Sequence, residues 1–293
     1  MKTESVSSRF ENLDVWSNGE ILEAMIEGQL AAIAAVRAVL PALSRVVDAA
    51  VPRLERGGRL AYAGAGTSGR LGVQDGVELT PTFNWPTERL VFLLAGGDAS
   101  LTRSIEGAED DADAGRDGVE SADIGPDDVL LGIAASGATA FTVAAVKAAR
   151  SRGALTVGIA NNEGSPLLAE AEHALFLDTG PEVVAGSTRM KAGTAQKAVL
   201  NLFSTLLMIR MGRVYGGYMV DVQATNRKLV RRAERMLVSL TGCGEEAACD
   251  ALRAAGGHVK TAVLVLQGLG REEADAVLDA CGGNLRAALE RIG

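Results

Sequence analysis

Between residues 19 and 50, apolar side chains recur at steps of one to four: Ile21, Leu22, Met25, Ile26, Leu30, Ile33, Val36 and Leu40. That spacing predicts a long amphipathic helix. Pro41 is expected to interrupt it, because proline lacks an N–H and its ring crowds the preceding turn. A second helix then runs to about Glu55, and Gly57-Gly58 ends it. Beyond that point the pattern changes to short apolar runs at Arg59–Gly64, Arg89–Ala95, Asp128–Ala134, Leu155–Ala160 and Ala174–Leu177. Helical stretches, notably Thr139–Arg152, lie between several of them. Val129-Leu130-Leu131-Gly132-Ile133 is apolar on both faces, as suits a parallel strand covered by helices above and below. The alternation predicts an α/β fold, a three-layer αβα sandwich around a mainly parallel five-stranded sheet. A further apolar helix is predicted from about Met190 to Met211.

The tail differs. Ala251-Leu-Arg-Ala-Ala-Gly-Gly-His-Val-Lys-Thr-Ala-Val263 is echoed 26 residues later by Val277-Leu-Asp-Ala-Cys-Gly-Gly-Asn-Leu-Arg-Ala-Ala-Leu289. Each copy reads as a helix, a Gly-Gly stop and the start of another helix. Two copies are too few for a solenoid, so residues 240–293 are expected to form one small helical bundle, with residues 1–239 as the main domain. The Gly-Gly spacing resembles small ubiquitin-associated-type (UBA-like) bundles, read here as support for packing or dimerisation.

Composition narrows the class of function. The 293 residues carry a net charge of −8 and only 4% aromatic residues. Neither a basic surface for nucleic acid nor stacking platforms for bases are expected. No apolar leader follows the first residues. The longest apolar run, Val199–Ile209, is too short to span a bilayer and is flanked by Lys197 and Arg210, so no membrane helix is expected. Three cysteines suit a reducing cytoplasm, and two histidines, His173 and His258, lack a metal-ligand spacing. Residues 106–128 hold ten acids against the single base Arg116, read mostly as solvated surface.

Three segments carry chemistry. Gly64-Ala-Gly-Thr-Ser-Gly-Arg70 follows a strand and fits G-x-G-x-x-G. A dinucleotide site wants an acid about 20 residues on, and Asp98, about 30 residues on, is poorly placed. Thr67 and Ser68 instead suit a single phosphate at a helix N-terminus. Ala134-Ala-Ser-Gly-Ala-Thr139 occupies the same kind of position, although Ser136 or Thr139 could serve only as an N-cap. Gly180–Lys197 opens the long helix and clusters Ser187, Thr188, Arg189 and Lys191. Cations at a helix N-terminus oppose its dipole, so an anion is expected nearby, either a ligand or the internal partner Glu182.

These segments, with Glu106-Gly-Ala-Glu-Asp110, Gly132-Ile-Ala-Ala-Ser-Gly137, Met219-Val-Asp-Val222 and Ala224-Thr-Asn226, resemble the sugar isomerase (SIS) domain family. Within it they look like the N-acetylmuramic acid 6-phosphate etherases, over nearly the whole chain from Thr3-Glu4 to the helical tail. The Gly180–Lys197 stretch is shared with the glucokinase regulatory proteins, which bind sugar phosphates without catalysis.

The resemblance implies cleavage of a lactyl ether from a 6-phosphorylated muramic acid, by elimination and then hydration, with no metal or organic cofactor. Such a reaction needs one base and one acid, and a carboxyl pair is the natural choice without a well-placed histidine. By the resemblance Glu78 is the acid and Glu109 the base. Glu78 lies in Glu-Leu-Thr-Pro-Thr where the family often reads Glu-Cys-Pro-Pro-Thr, with apolar Gly72, Val73, Val77 and Leu79 expected to desolvate it. Glu106 is expected three residues from Glu109 on the same helix face. Phosphate binding is assigned to Thr67, Ser68, Ser136, Thr139, Ser187 and Thr188, with Lys191 as a candidate anion partner. A homodimer is implied, and the Val199–Ile209 helix could lie at its interface or in the core. Two other readings stay open: a non-catalytic sugar-phosphate regulator, and a phosphosugar isomerase.

Overall fold

The computed structural model describes residues 1–222 and 227–293. The matching segment Ala224-Thr-Asn226 lies outside the described residues. The first helix, α1 (Asn18–Glu55), is unbroken over 38 residues, with Pro41 and Pro52 inside it. The expected interruption at Pro41 does not occur. Val36, Val39, Leu43, Val46 and Val47 on either side are buried, and continuous burial outweighs one missing hydrogen bond. Ser17 and Glu20 close a reciprocal capping box at the helix start. On composition α1 is long and apolar enough to cross a membrane, yet Ala32, Val46, Ala50 and Leu54 are fully buried in the core. Its buried stripe begins with small residues, Ala24, Gly28 and Ala32, whereas the larger Leu22, Ile26, Leu30 and Ile33 are exposed.

The sheet contains β1 (Leu60–Gly64), β2 (Leu90–Leu94), β3 (Val129–Ala134), β4 (Leu155–Ala160) and β5 (His173–Phe176). Their order is β2-β1-β3-β4-β5, and every pairing is parallel. β1, β3 and β4 are buried at every residue, which explains their unalternating apolar sequences. The connecting helices are α2 (Gly66–Val77), the short α3 (Leu79–Phe83), α4 (Ala112–Ser121), α5 (Ala140–Ser151) and α6 (Pro166–Glu170), followed by the long α7 (Lys191–Arg210). One layer packs Val119 of α4 and Phe141, Ala145 and Val146 of α5 against Ala61, Ala63 and Leu130 of the sheet. On the other face Gly72 and Gly76 of α2 sit tight against Tyr62 and Phe92; a Cβ on Gly76 would come within 2.6 Å of the Phe92 ring. The three-layer αβα arrangement is as the pattern of the chain requires.

Among the ten acids of 106–128, Asp128 is not solvated. It is buried, pairs with Arg59 at 2.7 Å, and accepts the N–H of Gly125. Val199, Leu200, Phe203 and Leu207 of α7 are fully buried, so most of that apolar run belongs to the core.

The chain forms two compact units: Met1–Val77 with Thr87–Ser204, and Glu78–Pro86 with Thr205–Gly293. The second unit contains all of the 240–293 module, the remainder of α7, a hairpin of β6 (Val214–Tyr215) and β7 (Tyr218–Met219), and α8 (Arg227–Thr241). The module itself has α9 (Glu245–Ala254), α10 (Val259–Leu266), α11 (Arg271–Ala280) and α12 (Leu285–Ile292). Both Gly-Gly stops are left-handed, with φ of 64° and 88° at Gly256-Gly257 and 60° and 74° at Gly282-Gly283. Only glycine takes two such residues in succession without strain, which is why the repeat shows in the sequence. Ala233, Leu237, Leu252, Val263, Leu264 and Leu285 share one core.

One buried acid ties α2 to α7. Asp75 accepts hydrogen bonds from Asn201 at 2.7 Å, Ser204 at 3.0 Å and the Tyr62 hydroxyl at 3.0 Å. Burial pushes its carboxyl above the ordinary Asp value, and the bonds from Asn201, Tyr62 and Ser204, with the Lys197 charge, pull it only partly back. A raised folded value means stability that is fully present below about pH 3.9, the free Asp value, and lost as pH rises through the folded value. Asp75→Asn removes that loss. Its melting temperature should gain on the wild type as pH rises from about 4 to about 7, and a constant difference over that range would contradict the raised value.

Candidate functional site

Because the five strands are parallel, their carboxyl ends form one edge, where open α/β sheets hold ligands. The turn after β1 runs directly into α2. Gly66 there has φ 53°, and a Cβ on Gly69 would lie 2.8 Å from the Gly64 carbonyl oxygen. Glycine at both positions lets a helix begin against the end of a strand and leaves backbone N–H groups facing the edge. Thr67 is half-buried in this turn and Ser68 is buried.

The Ser68 hydroxyl donates to Gln196 Oε1 at 2.9 Å. Gln196 Nε2 donates to Asn161 Oδ1 at 3.0 Å, and Asn161 Nδ2 donates to the Leu177 carbonyl at 3.1 Å and to Thr179 Oγ1 at 3.3 Å. Asn162 donates to the Ala135 carbonyl and to Thr3 Oγ1, both at 3.0 Å, and the Gly186 N–H donates to the Thr3 carbonyl at 3.1 Å. The three hydroxyl-bearing turns are thus held to one another by side-chain amides and by the N-terminal residue Thr3.

In the second turn Ser136 Oγ and Thr139 Oγ1 are 3.4 Å apart, and the Ala138 N–H donates to Ser136 Oγ at 3.1 Å. Thr139 stands at the N-cap of α5 but makes no side-chain capping bond, so its hydroxyl is not spent on that helix. In the third turn Ser187 and Thr188 are half-buried. A Cβ on Gly193 would lie 3.4 Å from the Thr188 carbonyl and 3.6 Å from the Thr67 methyl group, which places the first and third turns side by side.

Glu182 is the anion at the start of α7. Its two carboxylate oxygens accept the N–H groups of Lys191 and Ala192, each at 3.0 Å, and it is 1% exposed. Lys191 Nζ donates to the Thr179 carbonyl at 2.8 Å. Burial pulls this ammonium down, opposed by the Glu182 charge. The expectation that Lys191 meets a ligand anion gives way to this internal arrangement.

A cavity of about 300 Å³ opens beside the first turn, lined by Gly66, Arg70, Ser104, Glu106 and Glu109 among others. Arg70 does not project freely into it, since its Nε donates to the carbonyls of Ser100 at 3.0 Å and Leu101 at 3.2 Å. Glu106 and Glu109 do not share a helix face. Gly107 takes φ 72° between them, and only Ala108–Asp110 forms a single tight turn. Both glutamates nevertheless line the same cavity.

A family profile described as the glucokinase regulatory protein N-terminal SIS domain matches residues 42–150, and one described as the SIS domain matches residues 112–206. An N-acetylmuramic acid 6-phosphate etherase of Deinococcus radiodurans is 53% identical over 266 residues, covering 91% of this chain and 87% of that protein. The etherase of Rubrobacter xylanophilus is 46% identical over 264 residues, covering 90% and 88%. The chain belongs to the N-acetylmuramic acid 6-phosphate etherase family. A solved phosphoheptose isomerase from Francisella tularensis, 17% identical with a TM-score of 0.52, covers 66% of this chain and 100% of its own, and shares the fold.

For a member of the etherase family, the structure brings together Thr67, Ser68, Ser136, Thr139, Ser187 and Thr188 at one sheet edge, with Glu109 on the cavity beside the first turn. Glu78 belongs to the other unit, where it is the N-cap residue of α3. The expected desolvation of Glu78 is not found: it is exposed, as is Val77 beside it, while Leu79 is buried. Sequence reasoning missed Gln196, Asn161 and Asn162. The one signal was Asn161-Asn162 directly after β4, where two amides end an apolar strand. Asn162 Oδ1 and Ser165 Oγ are buried without a hydrogen-bond partner, and both residues line a second cavity of about 350 Å³ with Ser136. Among the described residues, no three His, Cys, Asp or Glu side chains group as metal ligands.

Glu182→Gln would turn an amide N–H towards the α7 backbone donors and leave one of them unsatisfied. A loss of about 1–3 kcal/mol in unfolding free energy is expected by denaturant titration. Unchanged stability would show that the carboxylate does not cap α7.

Proposed function

We propose that the protein removes the D-lactyl group of N-acetylmuramic acid 6-phosphate, giving N-acetylglucosamine 6-phosphate and D-lactate in cell-wall amino-sugar recycling or breakdown. The reading is carried by one conjunction: a chain 53% identical to an etherase has Glu109 on the cavity at its first glycine turn. Hydroxyls and backbone N–H groups of Thr67, Ser68, Ser136, Thr139, Ser187 and Thr188 would receive the phosphate. The Ser68 hydroxyl proton is already given to Gln196, so Ser68 would contribute its backbone N–H.

In the open-chain sugar, the aldehyde at carbon 1 makes the carbon 2 hydrogen acidic. The Glu109 carboxylate takes that proton. The bond from carbon 3 to the lactyl oxygen breaks, and that oxygen takes a proton from Glu78, so lactate leaves and a double bond conjugated with the aldehyde remains. Water then adds at carbon 3, losing a proton to Glu78, and Glu109 returns a proton to carbon 2. One water is consumed and both carboxyl groups end as they began. Each positioned acid or base supplies about 10²–10⁴-fold.

Two further statements belong to this reading. The protein works as a homodimer, supported by the exposed stripe Leu22, Ile26, Leu30 and Ile33, which recurs at helical spacing along α1 and suits cover by a second copy. It works in the cytoplasm, supported by three unpaired cysteines.

Glu78→Gln and Glu109→Gln should each lower D-lactate release at least about 10²-fold with unchanged circular dichroism. Full activity in either variant would contradict the role given to that residue. Interconversion of phosphosugars without lactate would favour an isomerase, and binding without turnover a regulator.

A further inference from the structure

Within the second unit, the segment Glu78–Pro86 is held by a chain of charges that ends in the C-terminal bundle. Trp85 is fully buried, and its carbonyl accepts the Thr80 hydroxyl at 2.8 Å. The Arg213 guanidinium lies 5.2 Å over the Trp85 ring. Its Nη1 donates to the carbonyls of Phe83 at 2.8 Å and Asn84 at 3.0 Å, and to Asp221 Oδ2 at 3.0 Å. The other oxygen of Asp221 meets Lys260 Nζ at 2.8 Å. Lys260 is 8% exposed and also donates to the Gly283 carbonyl at 2.7 Å, at the second Gly-Gly stop. One carboxylate therefore serves two cations, one gripping the α3 segment and the other, on α10, bonded to the turn between α11 and α12.

Lys260 is buried and Arg213 half-buried, and the acid between them offsets the cost of bringing the two cations together. Burial pulls both Arg213 and Lys260 down, and the Asp221 charge opposes this in each. The arrangement is costly for a bundle that merely packs, since apolar residues of the same volume would serve as well. It is directional, because the carbonyls of Phe83 and Asn84 fix where α3 ends and hence where its N-cap, Glu78, begins.

We propose that Asp221 and Lys260 are positioning residues for Glu78, so that the C-terminal bundle sets the placement of the acid of the reaction. The inference rests on the reading of Glu78 as that acid. Lys260→Met keeps the volume and leaves Asp221 paired with Arg213 while cutting the tie to the bundle. The chain has two tryptophans, so in a Trp16→Phe background Trp85 is the sole fluorophore.

In that background Lys260→Met should increase acrylamide quenching of Trp85 and lower kcat for lactate release by about ten- to a hundredfold, with KM unchanged within about twofold. Lys260→Arg should restore both, and the melting transition should remain single and cooperative. Unchanged quenching with unchanged kcat would overturn the inference, as would a fall in kcat that the arginine variant does not rescue. Increased quenching with unchanged kcat would also overturn it. Activity of Glu78→Gln then separates the causes: full activity places the failure on the role of Glu78, and lost activity places it on the positioning.

Discussion

Gln196 is the joint on which the carboxyl edge of the sheet depends. One side-chain amide from α7 accepts from the turn after β1 and donates to the residue after β4. Such a group has no water to fall back on when buried, so its two partners must stay in register with α7. Asn162 and Thr3 extend the constraint to the second and third turns. The hydroxyls and N–H groups of three separate loops are thereby held in one preorganised surface.

The strands were readable from sequence because parallel strands buried on both faces carry apolar residues without alternation. The turns were readable because glycine and hydroxyl residues cluster where a strand meets a helix. The face that α1 buries was not, since hydrophobicity alone favours Leu22, Ile26 and Leu30, while the buried face carries Ala24, Gly28 and Ala32, with Lys191 and Val183 packed closely over Gly28. Pro41 misled for a related reason: local propensity argues for a break, and burial on both sides of the proline overrides it. Gln196 carries no signal of its own, because a glutamine in a helix is ordinary until its partners are known. Glu106 and Glu109 suggested a shared helix face, but the left-handed Gly107 between them was the better guide.

The second unit shows the same contrast. Its Gly-Gly repeat marks the bundle plainly, since the turns need a backbone that other residues rarely adopt. The attachment of Glu78–Pro86 to that unit is invisible in the chain, because Arg213 reaches back more than a hundred residues to Phe83 and Asn84. Long-range contacts through one guanidinium leave no periodicity behind.

The most direct measurement is a coupled D-lactate assay on the purified protein with N-acetylmuramic acid 6-phosphate, run beside the same sugar without its phosphate. One lactate is expected per N-acetylglucosamine 6-phosphate formed from the phosphorylated sugar, and none from the other. Equal release from both sugars, or no release from either, would contradict the proposed activity.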